Sequence, residues 1–259
     1  MKKGFTLIEV LVGAAVFVVI ATAAYGAFAS IFRLAQANQS RLLAVALANE
    51  RFEIARNMTY DDIGLQGGVP AGTLPPETTV TRGGIAFKVN TIVRNIDLPS
   101  DGTIGGDPND LTPADNKLMQ ITVSCETCHD FTPVVVSGQI APKNVEAVST
   151  NGSLRIQVFD ASGEGVPGAS VVVEYASASP ITINDTTDND GILQIIDLPP
   201  ATQAYSIFVS KTGYSSDQTR FATAENPTPS KPPATVASQQ LTQISFVIAG
   251  NLQVEVTKG

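Results

Sequence analysis

The sequence is poor in the side chains that carry most enzyme chemistry. Its 259 residues include one histidine, two cysteines and no tryptophan. A Ser-His-Asp or Cys-His triad would need His129 as its base, and Cys128, which directly precedes it, is poorly placed to serve as its nucleophile. The sequence also contains no glycine-rich phosphate loop, no H-E-x-x-H and no G-x-S-x-G motif. We therefore expect that the protein is not an enzyme.

Basic side chains are also scarce. The 16 lysines and arginines are outnumbered by 24 aspartates and glutamates, which gives a net charge of -8. Without a basic stripe the chain cannot displace many counterions from phosphates, so we expect no nucleic-acid partner. Lys2 and Lys3 precede a long apolar run, and such residues stay on the cytoplasmic side of a membrane. This pattern predicts a single-pass protein of the cytoplasmic membrane with its bulk outside.

Proline is absent before Pro70, so no strong helix breaker interrupts the first part of the chain. From Phe5 to Phe32 the residues are mostly apolar with Glu9 as the only charge, and the run exceeds the ~20 residues that cross a bilayer. Further along, apolar residues recur at helical spacing at Leu42, Val45, Ala48, Phe52 and Ala55. We predict one helix over 5–57, with 5–32 transmembrane and one face of the remainder packed on a sheet.

The start of this helix carries a specific motif, Lys2-Lys3-Gly4-Phe5-Thr6-Leu7-Ile8-Glu9-Val10-Leu11-Val12. A secretory signal peptide would have small residues and a cleavage site after its apolar run, and none follow here. The motif instead resembles the N-terminal cleavage and methylation signal of type IV pilins and pseudopilins. The resemblance implies that a prepilin peptidase cuts between Gly4 and Phe5 and N-methylates Phe5. Residues 1–4 would then be a leader peptide, and the helix would remain as a membrane anchor and later a filament core.

Glu9 is a carboxylate within the predicted membrane span. Such residues are costly in lipid and are usually paired and functional. The pilin resemblance implies that its partner is the terminal amine of Phe5 on a neighbouring subunit, which would set the subunit register. Two alternatives are a carboxyl group that is protonated in lipid and a side chain that reaches the nearby headgroups.

After the helix, the pattern changes to turns and strands. Glycines and prolines fill 61–76, and strand-like runs follow at Glu77–Arg82, Ile85–Ile96, Leu118–Cys125 and Asp130–Ile140. A long helix packed on a small antiparallel sheet is the fold of a pilin head. We assign this head to 58–150.

A second module occupies 151–259. Leu154, Ile156 and Val158 alternate with polar residues, and further strand runs follow at Val171–Tyr175, Ile192–Ile196 and Tyr205–Lys211. The order of strands and turns from Gly152 to about Tyr214 resembles the carboxypeptidase regulatory-like domain, a transthyretin-like β-sandwich. That resemblance implies a non-catalytic module. Beyond an exposed stretch from Pro227 to Pro233 we expect closing strands at Leu241–Ala249 and Leu252–Thr257. The fold class is therefore α+β: a long helix on a small antiparallel sheet, then an all-β sandwich.

Cys125-Glu126-Thr127-Cys128-His129 matches the C-x-x-C-H pattern of covalent c-type haem attachment, with His129 as axial ligand. The motif lies between two predicted strands with few aromatic residues to shield a porphyrin. This context favours a Cys125–Cys128 disulfide that closes the hairpin tip in an oxidising compartment. Zinc would lack a fourth ligand. The expectation is therefore no cofactor, with haem as an alternative.

Two acidic turns are candidate calcium sites. The first is one loop that holds Asp101, Asp107, Asp110 and Asp115. The second is Asp188-Asn189-Asp190-Gly191, in which Thr186 occupies the first ligand position and Asp197 replaces the bidentate glutamate. Acidic turn residues are more often solvated or cap turns. We expect no metal, with calcium in the Asp101 to Asp115 loop as the alternative.

Together these features predict a structural subunit, a minor pilin or pseudopilin, of a type IV pilus-like or type II secretion-like filament. Expected partners are a prepilin peptidase, other pilin subunits, an inner-membrane assembly platform and membrane lipid. After assembly the filament would lie on the cell surface or span the periplasm. One alternative is a tip adhesin or substrate-binding minor pilin whose 151–259 sandwich binds glycan or protein. Another is a haem-bearing filament subunit.

Overall fold

The computed structural model describes residues 6–128, 131–142 and 149–250. Helix α1 runs from Leu7 to Arg56, and its 50 residues extend about 75 Å at 1.5 Å per residue. Thr6 caps its start, since the Thr6 hydroxyl accepts a hydrogen bond from the Glu9 N–H at 3.4 Å. The predicted first residue, Phe5, lies outside the described residues. The single long helix is confirmed.

The second half of α1 packs on a four-stranded antiparallel sheet with strand order β1-β2-β3-β4. These strands are β1 (Glu77–Arg82), β2 (Ile85–Ile96), β3 (Asn116–Ser124) and β4 (Val134–Ile140). β1 and β2 have the predicted bounds, and β3 begins before the predicted Leu118. β4 begins later than predicted, directly after Pro133, which has no N–H to donate to the sheet. The helix and sheet together form the predicted head.

The helix face that meets this sheet is the predicted one except at Leu42: Ala48 and Ala55 are buried, and Val45 and Phe52 pack against the same core. The buried residues are Ala44, Leu47, Ala48 and Ala55, whereas Leu42 is 70% exposed. The prediction that Leu42 belongs to the packed face is therefore wrong. Residues 42–48 are all apolar, so spacing alone fits several adjacent stripes. The sheet meets the stripe that contains the small alanines, which allow close approach of the helix to the sheet.

The second module is a sandwich of two sheets. One has the order β10-β9-β6-β7 with β11 also paired to β9, and the other has the order β12-β5-β8. The strands are β5 (Gly152–Phe159), β6 (Ser170–Tyr175), β7 (Ile181–Thr186), β8 (Ile192–Leu198), β9 (Ala201–Ser210), β10 (Asp217–Gln218), β11 (Ala234–Val236) and β12 (Leu241–Val247). Their inward side chains form one core that includes Leu154, Val171, Tyr205, Ile207 and Phe246. The predicted sandwich is confirmed, and the predicted strand Leu252–Thr257 lies outside the described residues.

The stretch from Pro227 to Pro233 differs in part from its predicted exposure. Pro227 is exposed, but Pro233 is buried and leads directly into β11. Lys231 pairs with Asp217 of β10 and lies over the Phe246 ring at 4.4 Å. The end of this stretch is therefore tied to the sandwich.

Polar contacts join the two modules. Arg94 in β2 donates two hydrogen bonds, from Nε and Nη2 of its guanidinium group, to the carboxylate of Asp185 in β7. The Asp185 side chain is 3% exposed. The Asn95 side-chain amide donates to the Ile196 carbonyl at 3.4 Å, and the Thr182 N–H donates to the Gly67 carbonyl at 2.7 Å. These contacts dock the sandwich against the head.

Candidate functional site

The first half of α1 is an apolar surface that the described residues leave uncovered. An 18-residue window of the helix has a mean hydropathy of 2.5 and is 0% buried, so by length and composition it could cross a membrane. Its large apolar side chains are 53% to 84% exposed. They are Leu7, Ile8, Val10, Leu11, Val12, Val16, Phe17, Val18, Val19, Ile20, Tyr25, Phe28, Ile31 and Phe32. A helix that is apolar on all sides is suited to lipid or to the core of a helical bundle.

Hydroxyl groups within this surface bond to their own helix. Thr22 Oγ1 donates to the Val18 and Val19 carbonyls at 3.0 Å each, and Ser30 Oγ donates to the Gly26 carbonyl at 3.0 Å. Backbone and hydroxyl groups that are satisfied internally remove the main cost of placing a helix in hydrocarbon. Glu9 is then the one formally charged side chain of this surface.

Glu9 lies in the first turn of α1, where the helix dipole favours a negative charge. Its side chain is exposed. Gly4 and Phe5, the predicted cleavage and methylation residues, lie outside the described residues. The cleavage site and the pairing of Glu9 with a neighbouring Phe5 amine therefore stay predictions.

Cys125 and Cys128 are joined by a disulfide in the connection between β3 and β4. Cys125 is 8% exposed and belongs to the head core, close to Phe131, whose ring lies 6.1 Å from that of Phe87. While the two sulfurs are bonded to each other, neither can form a thioether bond to haem. His129, the predicted axial ligand of the haem alternative, lies outside the described residues.

The loop between β2 and β3 brings acidic side chains together. One carboxylate oxygen each of Asp101, Asp110 and Asp115 lies within 4.8 Å of the other two. Asp110 and Asp115 are each 6% exposed, whereas Asp101 is exposed. Asp107, the fourth predicted residue, is exposed and is not part of this group.

Asp97, which directly follows β2, belongs to the same charge cluster. Burial raises the pKa of Asp97, and the negative charges of Asp110, Asp115 and Asp101 raise it further, against a hydrogen bond from the Ile104 N–H. Asp97 is not among the ligands predicted from the sequence, although it is the first residue of the connection between β2 and β3. The sequence does contain an indication of its role: Asp97 and Asp115 lie at the two ends of the loop, and the pairing of β2 with β3 holds these ends close together.

The second acidic turn has a different arrangement. Asp188 Oδ1 accepts hydrogen bonds from the N–H groups of Asp190 and Ile192 at 2.9 and 2.8 Å, which closes the turn into β8. Asp188 and Asp190 are exposed, and Asp197 accepts a hydrogen bond from the Ser149 hydroxyl at 2.6 Å. Within residues 6–128, 131–142 and 149–250, the Asp101, Asp110 and Asp115 group is the one cluster with metal-ligand spacing.

Solved structures share only a distant likeness with the chain. Catechol 1,2-dioxygenase from Pseudomonas arvilla C-1 is 14% identical with a TM-score of 0.29, over 41% of this chain and 54% of that one. The major pilin subunit of Bacillus cereus is 14% identical with a TM-score of 0.26, over 52% and 38%. The pilus 2b backbone protein of group B streptococcus is 14% identical with a TM-score of 0.26, over 55% and 52%. The matched regions thus span about half or less of those proteins, and at these TM-scores they carry no argument about function.

Two protein-family models match the chain, and no curated protein does. The prokaryotic N-terminal methylation motif matches residues 1–25, and the carboxypeptidase regulatory-like domain matches residues 153–256. Both resemblances predicted from the sequence are confirmed. The chain therefore carries a prokaryotic N-terminal methylation motif that includes the start of α1, and its second β module is a carboxypeptidase regulatory-like domain.

Proposed function

We propose that the protein is a structural, non-enzymatic subunit of a type IV pilus-like or type II secretion-like filament. One observation carries the proposal: the methylation motif leads directly into a helix whose first half is apolar on all sides and 0% buried. Apolar surface of this extent requires lipid or other helices to cover it. Lipid would cover this surface while the helix anchors the subunit in the membrane. The helices of other subunits would cover it in the assembled filament.

Cleavage between Gly4 and Phe5 prepares the subunit for assembly. A prepilin peptidase removes residues 1–4 and methylates Phe5, while Lys2 and Lys3 keep the leader on the cytoplasmic side. The new amine of Phe5 then pairs with Glu9 of a neighbouring subunit. Each of these two charges would be costly in an apolar environment without a partner. Because they meet in only one alignment of neighbouring helices, the pairing favours that register.

The β modules occupy the outside of the filament. The buried stripe of α1 at Ala44, Leu47 and Ala48 holds the head on the helix, and the Arg94–Asp185 pair holds the sandwich on the head. The sandwich adds bulk that would crowd a helical array if every subunit carried it. We therefore assign the protein to the minor subunits, which are inserted by the assembly platform among smaller major pilins.

Filament fractionation tests this function. Cells that express the full chain with a prepilin peptidase, a major pilin and an assembly platform are sheared, and the released filaments are separated from membranes. The expected result is processed protein in the filament fraction, with far fewer copies than the major pilin. Protein found only in the membrane fraction would contradict the filament role, and a filament built from this chain alone would contradict the minor role.

A further inference from the structure

The loop between β2 and β3 concentrates negative charge in a largely buried place. Three carboxylate oxygens lie within 4.8 Å of one another, and two of the three aspartates are 6% exposed. Asp97 is close enough for its charge to interact with all three. Like charges at this spacing repel, and burial weakens the screening by water. The three carboxylate oxygens lie close enough together to share one bound cation.

Backbone contacts fix the direction of these carboxylates. Asp97 Oδ2 accepts the Ile104 N–H at 2.8 Å, and Asp110 Oδ1 accepts the Thr112 N–H at 2.7 Å. Asp115 Oδ2 accepts the Leu98 N–H. In each case the hydrogen bond holds one carboxylate oxygen in place, and this also fixes the direction of the other oxygen of the same group.

The remaining oxygens of Asp97 and Asp110 point to a ligand. Asp110 Oδ2 and Asp97 Oδ1 are buried and accept no hydrogen bond within the described part of the chain. A buried carboxylate oxygen without a partner is costly when charged, so native structures rarely retain one. Asp110 is a member of the 4.8 Å group and is more than nine-tenths buried, which makes it the anchor of the cluster.

We propose that Asp101, Asp110 and Asp115, supported by Asp97, bind one Ca²⁺ ion. All four side chains offer oxygen, the ligand type that calcium requires. Ligands about 2.4 Å from a common ion lie at most about 4.8 Å apart, which agrees with the observed spacing. Calcium tolerates irregular coordination and takes water as further ligands, and the exposed Asp101 leaves an open side for water.

The ion would stiffen the junction between the two modules. Gly105 of this loop lies against Leu241 at the start of β12, since a Cβ added at Gly105 would be 3.1 Å from the Leu241 Cβ. Ile104, whose N–H bonds Asp97, is 3% exposed. Calcium bound in the loop would thus order a segment that contacts the sandwich. The proposal extends the filament role, and binding itself does not depend on that role.

Calorimetric titration of the EDTA-treated full chain in detergent with CaCl₂ tests the site. The expected result is one equivalent of Ca²⁺ bound and a higher unfolding temperature with CaCl₂ than with EDTA. Asp110→Asn, which keeps the shape of the side chain, should weaken binding by about tenfold or more. Asp107→Asn is the matched control from the same loop and should bind as the unaltered protein does.

Asp101→Asn provides a second variant, because Asp101 is exposed and substitutions at exposed positions usually change stability little. It should also weaken Ca²⁺ binding, with an unchanged circular dichroism spectrum. The proposal is overturned if the unaltered chain takes up no Ca²⁺, or if MgCl₂ binds and CaCl₂ does not. Equal losses in Asp107→Asn and Asp110→Asn would also overturn it, since the effect would then follow from charge alone.

Discussion

In the proposed filament, the register between neighbouring subunits depends on Glu9. It is the one formal charge on an apolar surface, and it lies four positions after the amine that cleavage would create at Phe5. In lipid or in a bundle of helices, a carboxylate without a partner is costly, whereas one that meets an amine is compensated. The Glu9 side chain alone can therefore favour the correct alignment of neighbouring helices over incorrect ones.

Glu9→Gln should lower the filament-bound fraction by more than about tenfold, which corresponds to roughly 1.4 kcal/mol of lost pairing. Removal of one partner leaves the Phe5 amine buried and unpaired, and such losses reach about 3–5 kcal/mol in proteins. The measurement is the ratio of protein in sheared filaments to protein in membranes. Glu53→Gln is the matched control, because Glu53 lies on the same helix and forms only an exposed pair with Arg56. Equal filament fractions for the two variants would contradict the role of Glu9.

At the scale of elements, strong periodicity predicted most of the fold. The helix and the strands β1 and β2 follow from long runs with one clear pattern. β7 was missed because it is an edge strand of sequence ITINDT, and its buried Asp185 serves the Arg94 contact instead of an apolar core. β10 and β11 were missed because two and three residues are too few to show alternation.

The candidate sites were predictable to different degrees. The methylation motif is contiguous, so the sequence alone identified it. The acidic cluster depends on tertiary structure: Asp97 and Asp115 meet because β2 and β3 pair, while Asp107 is placed outside by the loop's path. Spacing along the chain contains no information on which loop carboxylates face inward. Spacing also does not show which residues of α1 pack on the sheet: Ala44 and Leu42 are both apolar, but only Ala44 is buried.

The ion pair between Asp217 of β10 and Lys231 should make the stability of the sandwich depend on pH. Burial alone would raise the pKa of Asp217, but hydrogen bonds from Lys231 and from the Val247 and Gln218 N–H groups lower it overall. Because the folded-state pKa lies below the ordinary value, the carboxylate stabilises the fold above about pH 4 and loses this contribution as pH falls through the folded-state pKa.

Asp217→Asn should therefore lower the free energy of unfolding by about 1–3 kcal/mol at pH 7, where the unaltered carboxylate is fully charged. The difference between variant and unaltered protein should shrink below about pH 4. Urea unfolding at both pH values measures it. Asp160→Asn offers a comparison with an aspartate whose carboxylate bonds only N–H groups of its own turn, Ser162 and Glu164. A difference for Asp217→Asn that stays constant with pH would contradict the ion pair.

For the whole molecule, the contact between the two β modules decides whether the sandwich moves with the filament. Arg94 and Asp185 join β2 of the head to β7 of the sandwich, and the Asp185 side chain is 3% exposed. The Arg94 side chain is 31% exposed, so the pair is only partly buried. Its loss should cost between the about 0–1 kcal/mol of an exposed pair and the about 3–5 kcal/mol lost when one partner of a buried pair is removed. The modules should therefore unfold together in the unaltered protein.

Asp185→Ala should separate unfolding into two transitions, one for each module, because it removes the acceptor of the Arg94 guanidinium. Calorimetry of the full chain in detergent measures this. Glu50→Ala is the matched control, since the Arg82–Glu50 pair lies within the head and both side chains are more than 40% exposed. That variant should retain the transition of the unaltered protein. One unchanged transition in Asp185→Ala would show that other contacts dock the sandwich.

Intact mass shows whether α1 is a processed pilin-type helix. The protein is purified from membranes of cells that contain a prepilin peptidase, and its mass is recorded before and after reduction. The expected result is loss of Met1–Gly4, gain of one methyl group, and a further gain of two hydrogens when the Cys125–Cys128 bond is reduced. A chain that retains Met1–Gly4 would contradict this processing and leave an ordinary membrane-anchored β protein, and an added haem mass would contradict the disulfide.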